Sequence, residues 1–432
     1  MATKHIGSVG VATESTFGSI ASATGLPSIS GLAYRYLELM DLAQLVTPGE
    51  PILTDATDSR TGLYGTAPEP ATINGVQRRQ GTVTLDTPWR PIGSKTEFST
   101  YADMPLQRIL RTALGTYLRT DTAADAVVGT ATTTEWRPTT TADFAVGQLL
   151  RTVIGGRAEF SAMSSDDGTP DMNNSPAWST APTGLSIFPM RVNYLPANGM
   201  PSTESVALRL DGDGWRSYCF GCVLTQIAVT MDETSRMVKI SMTLDCTHVV
   251  DDHAAASIQA TDYADGHLCH QMQSYLVIGG TGWTTPGGPS TPAIQTRATL
   301  CVDAFTLTID LTRGPVGCGE SIIGRSNTEL VNAAVTLEVV AGSTTSSYDD
   351  DLWDGRYRNV LLGFTGGDPS DAGEGGCIYL PAAFLNVDAS IRDMGKDVTR
   401  TRLVWSPGPY GGDDAANCPD DLENSILRLG LA

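Results

Sequence analysis

Four of the five histidines of this chain, His248, His253, His267 and His270, fall in one stretch with Asp251, Asp252 and Cys269. Imidazole, carboxylate and thiolate together are the ligand set of a zinc site. The spacing argues the other way. His248 and His253 stand five apart, unlike the paired histidines of a His-Glu-x-x-His helix, and Cys269 has no C-x-x-C partner. A linker carrying solvated histidines is the expected reading. Cys219-Phe220-Gly221-Cys222 has redox-motif spacing but sits among strand-type residues rather than at a helix start, so packing thiols are expected. Gly314-Pro315-Val316-Gly317-Cys318-Gly319 lacks the lysine and following helix of a phosphate loop and reads as a turn. Asp211-Gly212-Asp213-Gly214 and Asp349-Asp350-Asp351 lack the spacing and closing glutamate of a calcium loop. They read as a hairpin turn and a helix start. Trp215, Trp353 and Trp405 read as core or contact aromatics. No Ser/His/Asp or paired-carboxylate arrangement emerges from spacing. No catalytic, cofactor-binding or metal residue is therefore assigned, no cofactor is expected, and the chain is not expected to be an enzyme.

The elements around these residues are mostly strands. The chain has 432 residues, 41% of them apolar and only 18% charged, with abundant glycine. That composition favours strands and turns over long surface helices. A net charge of −20 lacks the basic footprint of a nucleic-acid binder. No apolar run reaches the roughly 18 residues of a membrane span, and the first residues lack the pattern of a signal peptide. The eight cysteines, thinly spread, are expected as free thiols.

Residues 34–45 read as a candidate helix within a Gly/Pro/Ser/Thr-rich arm. Residues 79–87 alternate as a strand. Residues 103–115 form the clearest helix signal: Asp103 as cap, Pro105 in the first turn, Leu106, Ile109, Leu110, Ala113 and Leu114 on one face, and Gly115 as the stop. Residues 120–203 show short strands separated by Asp/Gly/Pro/Asn loops, the texture of a small β-barrel insert. Ser347 is expected to cap a short helix reaching Tyr357.

One strand pattern occurs twice, in residues 220–244 and 380–404. Ile227, Val229, Met231 and Val238 match Val387, Ala389, Ile391 and Val398 without a gap. A second echo sets Val83-Thr84-Leu85-Asp86 against Val335-Thr336-Leu337-Glu338. Asp232, Glu233 and Asp393 fall in the turns of the repeat. Duplicated β-units suggest assembly before catalysis.

The residues that carry a family resemblance are soft strand-and-turn patterns. They are Val9-Gly10-Val11-Ala12-Thr13-Glu14-Ser15-Thr16-Phe17-Gly18, Thr112-Ala113-Leu114-Gly115, Tyr218-Cys219-Phe220-Gly221-Cys222 and the strand over 302–311. Phe144-Ala145-Val146-Gly147 and Leu195-Pro196-Ala197-Asn198-Gly199 add the insert. Over residues 5 to 410 the chain resembles the major tail tube proteins of long-tailed, siphovirus-like bacteriophages. The resemblance implies a mainly β fold: duplicated tail-tube-type β-sandwich or barrel units, each flanked by a short helix, plus an inserted small β-barrel module. The expected divisions are an N-terminal extended arm (1–75), a first unit (76–250) holding the insert (120–203), a linker (251–298), a second unit (299–412) and a C-terminal tail (413–432).

The function implied is that of a structural virion protein. It would self-assemble into stacked rings forming the tail tube, the conduit for DNA ejection. A homotrimer ring with pseudo-sixfold symmetry is favoured, with a homohexamer as the other arrangement. Implied partners are further copies of itself, tail terminator, tape measure and distal tail proteins. Genomic DNA would pass through the lumen without specific binding, and no membrane is involved. The protein would sit in the virion tail after assembly in the host cytoplasm, its insert on the outer surface. The alternative reading is a β-sandwich carbohydrate-binding adhesin or capsid decoration protein.

Overall fold

The computed structural model describes residues 2–14, 32–47, 81–89, 104–117, 125–140, 144–166, 171–196, 204–252, 257–261, 273–283, 297–316, 327–342, 356–366, 375–386, 391–393, 400–408, 410, 422 and 425–431. The N-terminal part supplies β1 (Ala2–Ile6), β2 (Ser8–Thr13), β3 (Arg35–Leu37), β4 (Ala43–Thr47) and β5 (Gly81–Pro88). Helix α1 (Pro105–Leu110) and β6 (Gly115–Tyr117) follow. Next come β7 (Asp125–Ala126), β8 (Glu135–Trp136), β9 (Leu149–Ile154), β10 (Arg157–Asp166), β11 (Met172–Ser175) and β12 (Ser186–Pro189). Then β13 (Arg191–Pro196), β14 (Val206–Gly212), β15 (Trp215–Met231) and β16 (Val238–Asp252). The remaining strands are β17 (Gln273–Trp283), β18 (Arg297–Val316), β19 (Asn327–Gly342), β20 (Tyr357–Thr365), β21 (Gly375–Leu385), β22 (Ile391–Asp393), β23 (Arg400–Pro407) and β24 (Ser425–Leu431). The fold is mainly β.

Strand pairing closes on itself twice. One circuit runs β1, β4, β5, β16, β15, β14, β2, and returns to β1 through Gly7. The other runs β17, β18, β19, β23, β21, β20 and back to β17. Every pairing is antiparallel. Take the β1–β2 run as one strand and number each circuit's members in chain order. Both circuits then follow one pattern: first with second, second with third, third with sixth, sixth with fifth, fifth with fourth, fourth with first. Closure leaves few open edges, which would otherwise invite uncontrolled pairing.

The periodicity of the strands explains where they sit. In β15, Ile227, Val229 and Met231 are buried while Gln226 faces water, and β5, β16, β18 and β19 alternate in the same way. In β20, by contrast, Val360, Leu362 and Phe364 enter the main core while Leu361 enters a second cluster on the opposite face. Strands buried on both faces read as unbroken apolar runs. The second cluster belongs to a separate sheet ordered β7-β12-β9-β10-β11-β8, whose edges meet through a bridge from Val127 to Pro138. Its core holds Trp136, Phe144, Phe160, Met163 and Trp178 and packs on Val277, Leu361, Cys377 and Tyr379 of the second circuit. Arg428 on β24, fully buried, donates to the carbonyls of Gly147 (2.9 Å) and Leu422 (3.1 Å) and fastens the C-terminal strand to this module.

Several expectations need correction. The 34–45 stretch is not a helix. It forms β3 and β4, because pairing with β2 and β5 outweighs a weak helical preference. The described part of the N-terminal arm lies in the chain's own first circuit. The linker contains β17, a member of the second circuit, and the C-terminal tail contains β24, paired with β13 and β21. Gly314, Pro315 and Val316, read as a turn, continue β18. α1 is shorter than its signal: it opens at Pro105 without a side-chain cap, and Asp103 lies outside the described residues. The second flanking helix falls on 347–355, also outside them, and Tyr357 opens β20.

Candidate functional site

Where the two circuits meet, β15 of the first pairs with β18 of the second, Gln226 through Met231 against Asp310 through Phe305. Alternation places Ile227 beside Ile309, Val229 beside Leu307 and Met231 beside Phe305, all buried. Burying one such side chain contributes about 1.5–3 kcal/mol, so the apolar row dominates this seam. In chain-order numbering the contact joins the fifth strand of one circuit to the second strand of the other. Antiparallel pairing throughout then makes equal-numbered strands of the two circuits run in the same direction. A single sheet results, in the order β4, β5, β16, β15, β18, β19, β23, β21.

Polar side chains line the other face of the central strands. Gln226 Nε2 donates to Asp310 across the seam at 2.6 Å, and Thr82 donates to Asp245 at 3.1 Å. Arg402 holds Glu338 through two hydrogen bonds of 2.6 and 2.7 Å, and Lys239 stands 3.7 Å from Asp86. Thr84 and Thr336 are exposed between them. Lys239 and Arg402 are thus matched by Asp86 and Glu338, while exposed Asp245 and Asp310 accept hydrogen bonds from Thr82 and Gln226. At one end of the seam, the hairpin turn between β15 and β16 is tied to the second circuit. Arg400 pairs with Glu233 and, at 3.6 Å, with Asp303; hydrogen bonding from Arg400 holds the Glu233 carboxyl below its usual range. Such exposed pairs set register more than stability.

Arg313 of β18 reaches from the second circuit into the first, donating to Leu224 O (2.8 Å) and to Thr112 O just beyond α1. Burial pulls its guanidinium down to about 10, so this cation is held by carbonyl dipoles rather than by water. Thr112 Oγ1 accepts from Leu224 N at 3.0 Å and donates to Ile109 O at 2.8 Å. The end of α1 is therefore pinned to the strand that makes the seam. Glu14, buried, accepts the Gly221 N–H on both oxygens at 3.1 Å and the Ser205 hydroxyl. Neither Arg313 nor Glu14 has a sequence signal that would have singled it out; their partners lie 89 to 207 residues away.

The residues that suggested chemistry do not converge. His248 is buried on β16 and Asp251 accepts from Ser217 Oγ at 2.6 Å, while His253, His267, Cys269 and His270 lie outside the described residues. Among the described residues, no group of three or more His, Cys, Asp or Glu has the geometry of a metal site. Cys219 and Cys222 are both buried in the main core, where β15 bulges against β14 near Gly221 (φ 58°), and Cys246 stands opposite Cys222. Burial pushes the Cys222 and Cys246 thiols well above their ordinary value, which leaves them neutral. Asp211 and Gly212 close the β14–β15 hairpin, and the Asp211 carboxylate lies between Arg216 (2.6 Å) and Arg209 (2.9 Å). Trp405 is core, Trp215 packs at its margin, and Trp353 and Asp349–Asp351 fall outside the described residues. The side chain of Asp393 does too. No described helix is long and apolar enough to cross a membrane. The comparisons identify no relative: no family model matches the chain, and no curated protein matches it significantly.

Proposed function

We propose that this chain is a structural subunit of a bacteriophage tail tube, built from two copies of one β-unit. It assembles into rings that stack into the conduit for DNA ejection. The observation that carries the reading is the seam. It joins unlike strands, the fifth of one unit to the second of the next, with both units pointing the same way. Contacts of that heterologous kind generate rings when the rotation closes. The shorter sequence echo relates the third strands, β5 and β19, whereas the longer one departs from the observed register: Leu224 pairs with Leu244, but Phe384 pairs with Ser406 rather than Val404. Three chains, each carrying two units, make a ring with pseudo-sixfold symmetry; six chains closing through a different contact is the other arrangement.

No chemistry is required of such a subunit. The polar face of the shared sheet, which carries exposed Asp245 and Asp310, suits the wall of a channel. Like charge keeps phosphate from sticking, since each phosphate contact would slow passage. The module of β7 to β12 packs on the second circuit away from the main core, a position that suits the outside of the tube. Tail terminator, tape measure and distal tail proteins are the proposed partners at and within the tube, and the virion tail is the proposed location. Negative-stain imaging of the purified chain tests this. Rings or tubes about 100 Å across, the scale of a ring of subunits of this size, are the expected result. A single folded chain at every concentration overturns it.

A further inference from the structure

Aspartate followed by glycine is a chemically labile pair. The glycine carries no Cβ to shield its own amide nitrogen, so that nitrogen can reach the carboxyl carbon of the residue before it. Among the described residues the pair occurs twice, at Asp211-Gly212 and at Asp213-Gly214. The two copies adjoin in sequence, yet the fold places them in opposite surroundings. Asp211 is fully buried in β14, its carboxylate between Arg216 (2.6 Å) and Arg209 (2.9 Å). Its backbone pairs with Arg216 on one side and with Ser8 on the other. The indole of Trp215 lies so close to Gly212 that a Cβ there would stand 2.1 Å from it. Asp213 and Gly214 are instead the two residues of the turn, beyond the last register pair of Gly212 with Trp215. Both are exposed. Gly214 has φ 76°, and a Cβ built on it would meet no atom within 4 Å. The Asp213 carboxyl therefore has open space in which to turn onto the Gly214 nitrogen, while two guanidinium groups hold the Asp211 carboxylate in place.

We propose that Asp213 is a site of spontaneous backbone isomerisation in the folded protein, and that Asp211 is protected from the same reaction. The Gly214 nitrogen attacks the Asp213 carboxyl carbon. A carbon–nitrogen bond forms, the nitrogen gives up its proton, and a carboxyl oxygen leaves as water, which closes a succinimide ring. Water then adds to one of the two ring carbonyls, and the bond from that carbon to nitrogen breaks. Opening at the main-chain carbonyl leaves the chain running through the former side-chain carboxyl carbon, with one more carbon in the backbone. The water lost in the first step is regained in the second, and nothing is oxidised or reduced. A two-residue hairpin turn has no slack for an added backbone atom. The isomer therefore lifts Trp215 from Gly212 and opens the end of the β14–β15 hairpin. This chemistry needs no second copy of the chain.

Ageing the folded protein at neutral pH and physiological temperature tests the proposal. Trypsin releases residues 210–216 as one peptide, because Arg209 and Arg216 bound it. Electron-transfer fragmentation of that peptide tells isoaspartate at 213 from isoaspartate at 211. A chain held unfolded in guanidinium for the same time gives the rate that the sequence alone sets at each position. In the folded protein isoaspartate should build up at 213 about tenfold faster than at 211, because a buried residue converts only through its rare open state. Asp213→Glu keeps the charge but would have to close a larger ring. It should abolish the product at 213 while leaving the circular dichroism and melting temperature of fresh protein unchanged. After ageing, the unaltered protein should melt below the Asp213→Glu variant. Equal accumulation at 211 and 213 in the folded chain, or none at 213 while the unfolded chain converts, overturns the proposal.

Discussion

Phe160→Ala is the most informative single change in the body of the molecule, because Phe160 joins the inserted module to the second circuit. Its ring is fully buried and stacks on Tyr275, with centroids 6.4 Å apart and planes 18° from parallel. Its backbone N–H donates to the Tyr275 hydroxyl at 2.9 Å. The fit is close: a Cβ on Gly363 would lie 2.7 Å from the Phe160 ring, and one on Gly375 would lie 3.2 Å from it. Deleting a buried phenyl ring costs about 3–5 kcal/mol in lost transfer energy and residual cavity. Glycine at positions 363 and 375 supplies no side chain that could move into that cavity, which favours the upper part of the range. Tyr275→Phe should cost less, about 1–3 kcal/mol, since it leaves one buried N–H without an acceptor. Because the two residues touch, the double variant should cost less than the sum of the singles. Guanidinium unfolding followed by tryptophan fluorescence reads all three values, and hydrogen exchange in β9 and β10 localises the loss. A cost below about 1 kcal/mol for Phe160→Ala would refute the docking described here.

Three smaller perturbations follow from the same geometry. The Ser235 hydroxyl, with backbone N–H groups of Ser235 and Thr234, holds the Asp232 carboxyl below its ordinary 3.8. Such a group stabilises the fold above its unfolded value and loses that contribution as pH falls through its folded value. Ser235→Ala should therefore cost up to about 1 kcal/mol at neutral pH and nothing in strong acid, as read by denaturation across pH. Gly115→Ala would place a Cβ 2.4 Å from the Tyr194 ring opposite it, so the ring must move, costing about 1–3 kcal/mol in a thermal melt. Among the described cysteines, a thiol reagent should label exposed Cys301 in the native protein. Cys219, Cys222, Cys246 and Cys377 should react only on unfolding, as mass mapping will show.

The parts of this fold legible in the sequence are those whose strands keep one face in water. Val83 and Leu85, Ile227 to Met231, and Phe305 to Ile309 alternate cleanly, and each lies in a strand of the shared sheet. The hairpin at Asp211–Gly214 was legible because glycine punctuates it, with Gly214 at φ 76°. The stretch from Tyr34 to Leu45 was not, since its apolar residues fit two periods and only pairing with β2 and β5 decides between them. β17 and β24 were hidden for a related reason. Their partners lie far along the chain, and Val277 and Leu361 are apolar on the outward face only because the inserted module covers them. The seam itself was half legible. Both of its strands stood out as alternating runs, but nothing in either run says that the other is its neighbour.

Cryo-electron microscopy of the assembled particle tests the central claim most directly. The account predicts rings of three chains and six near-equivalent β-units. A closed two-fold dimer, or a folded chain that never assembles, would contradict it.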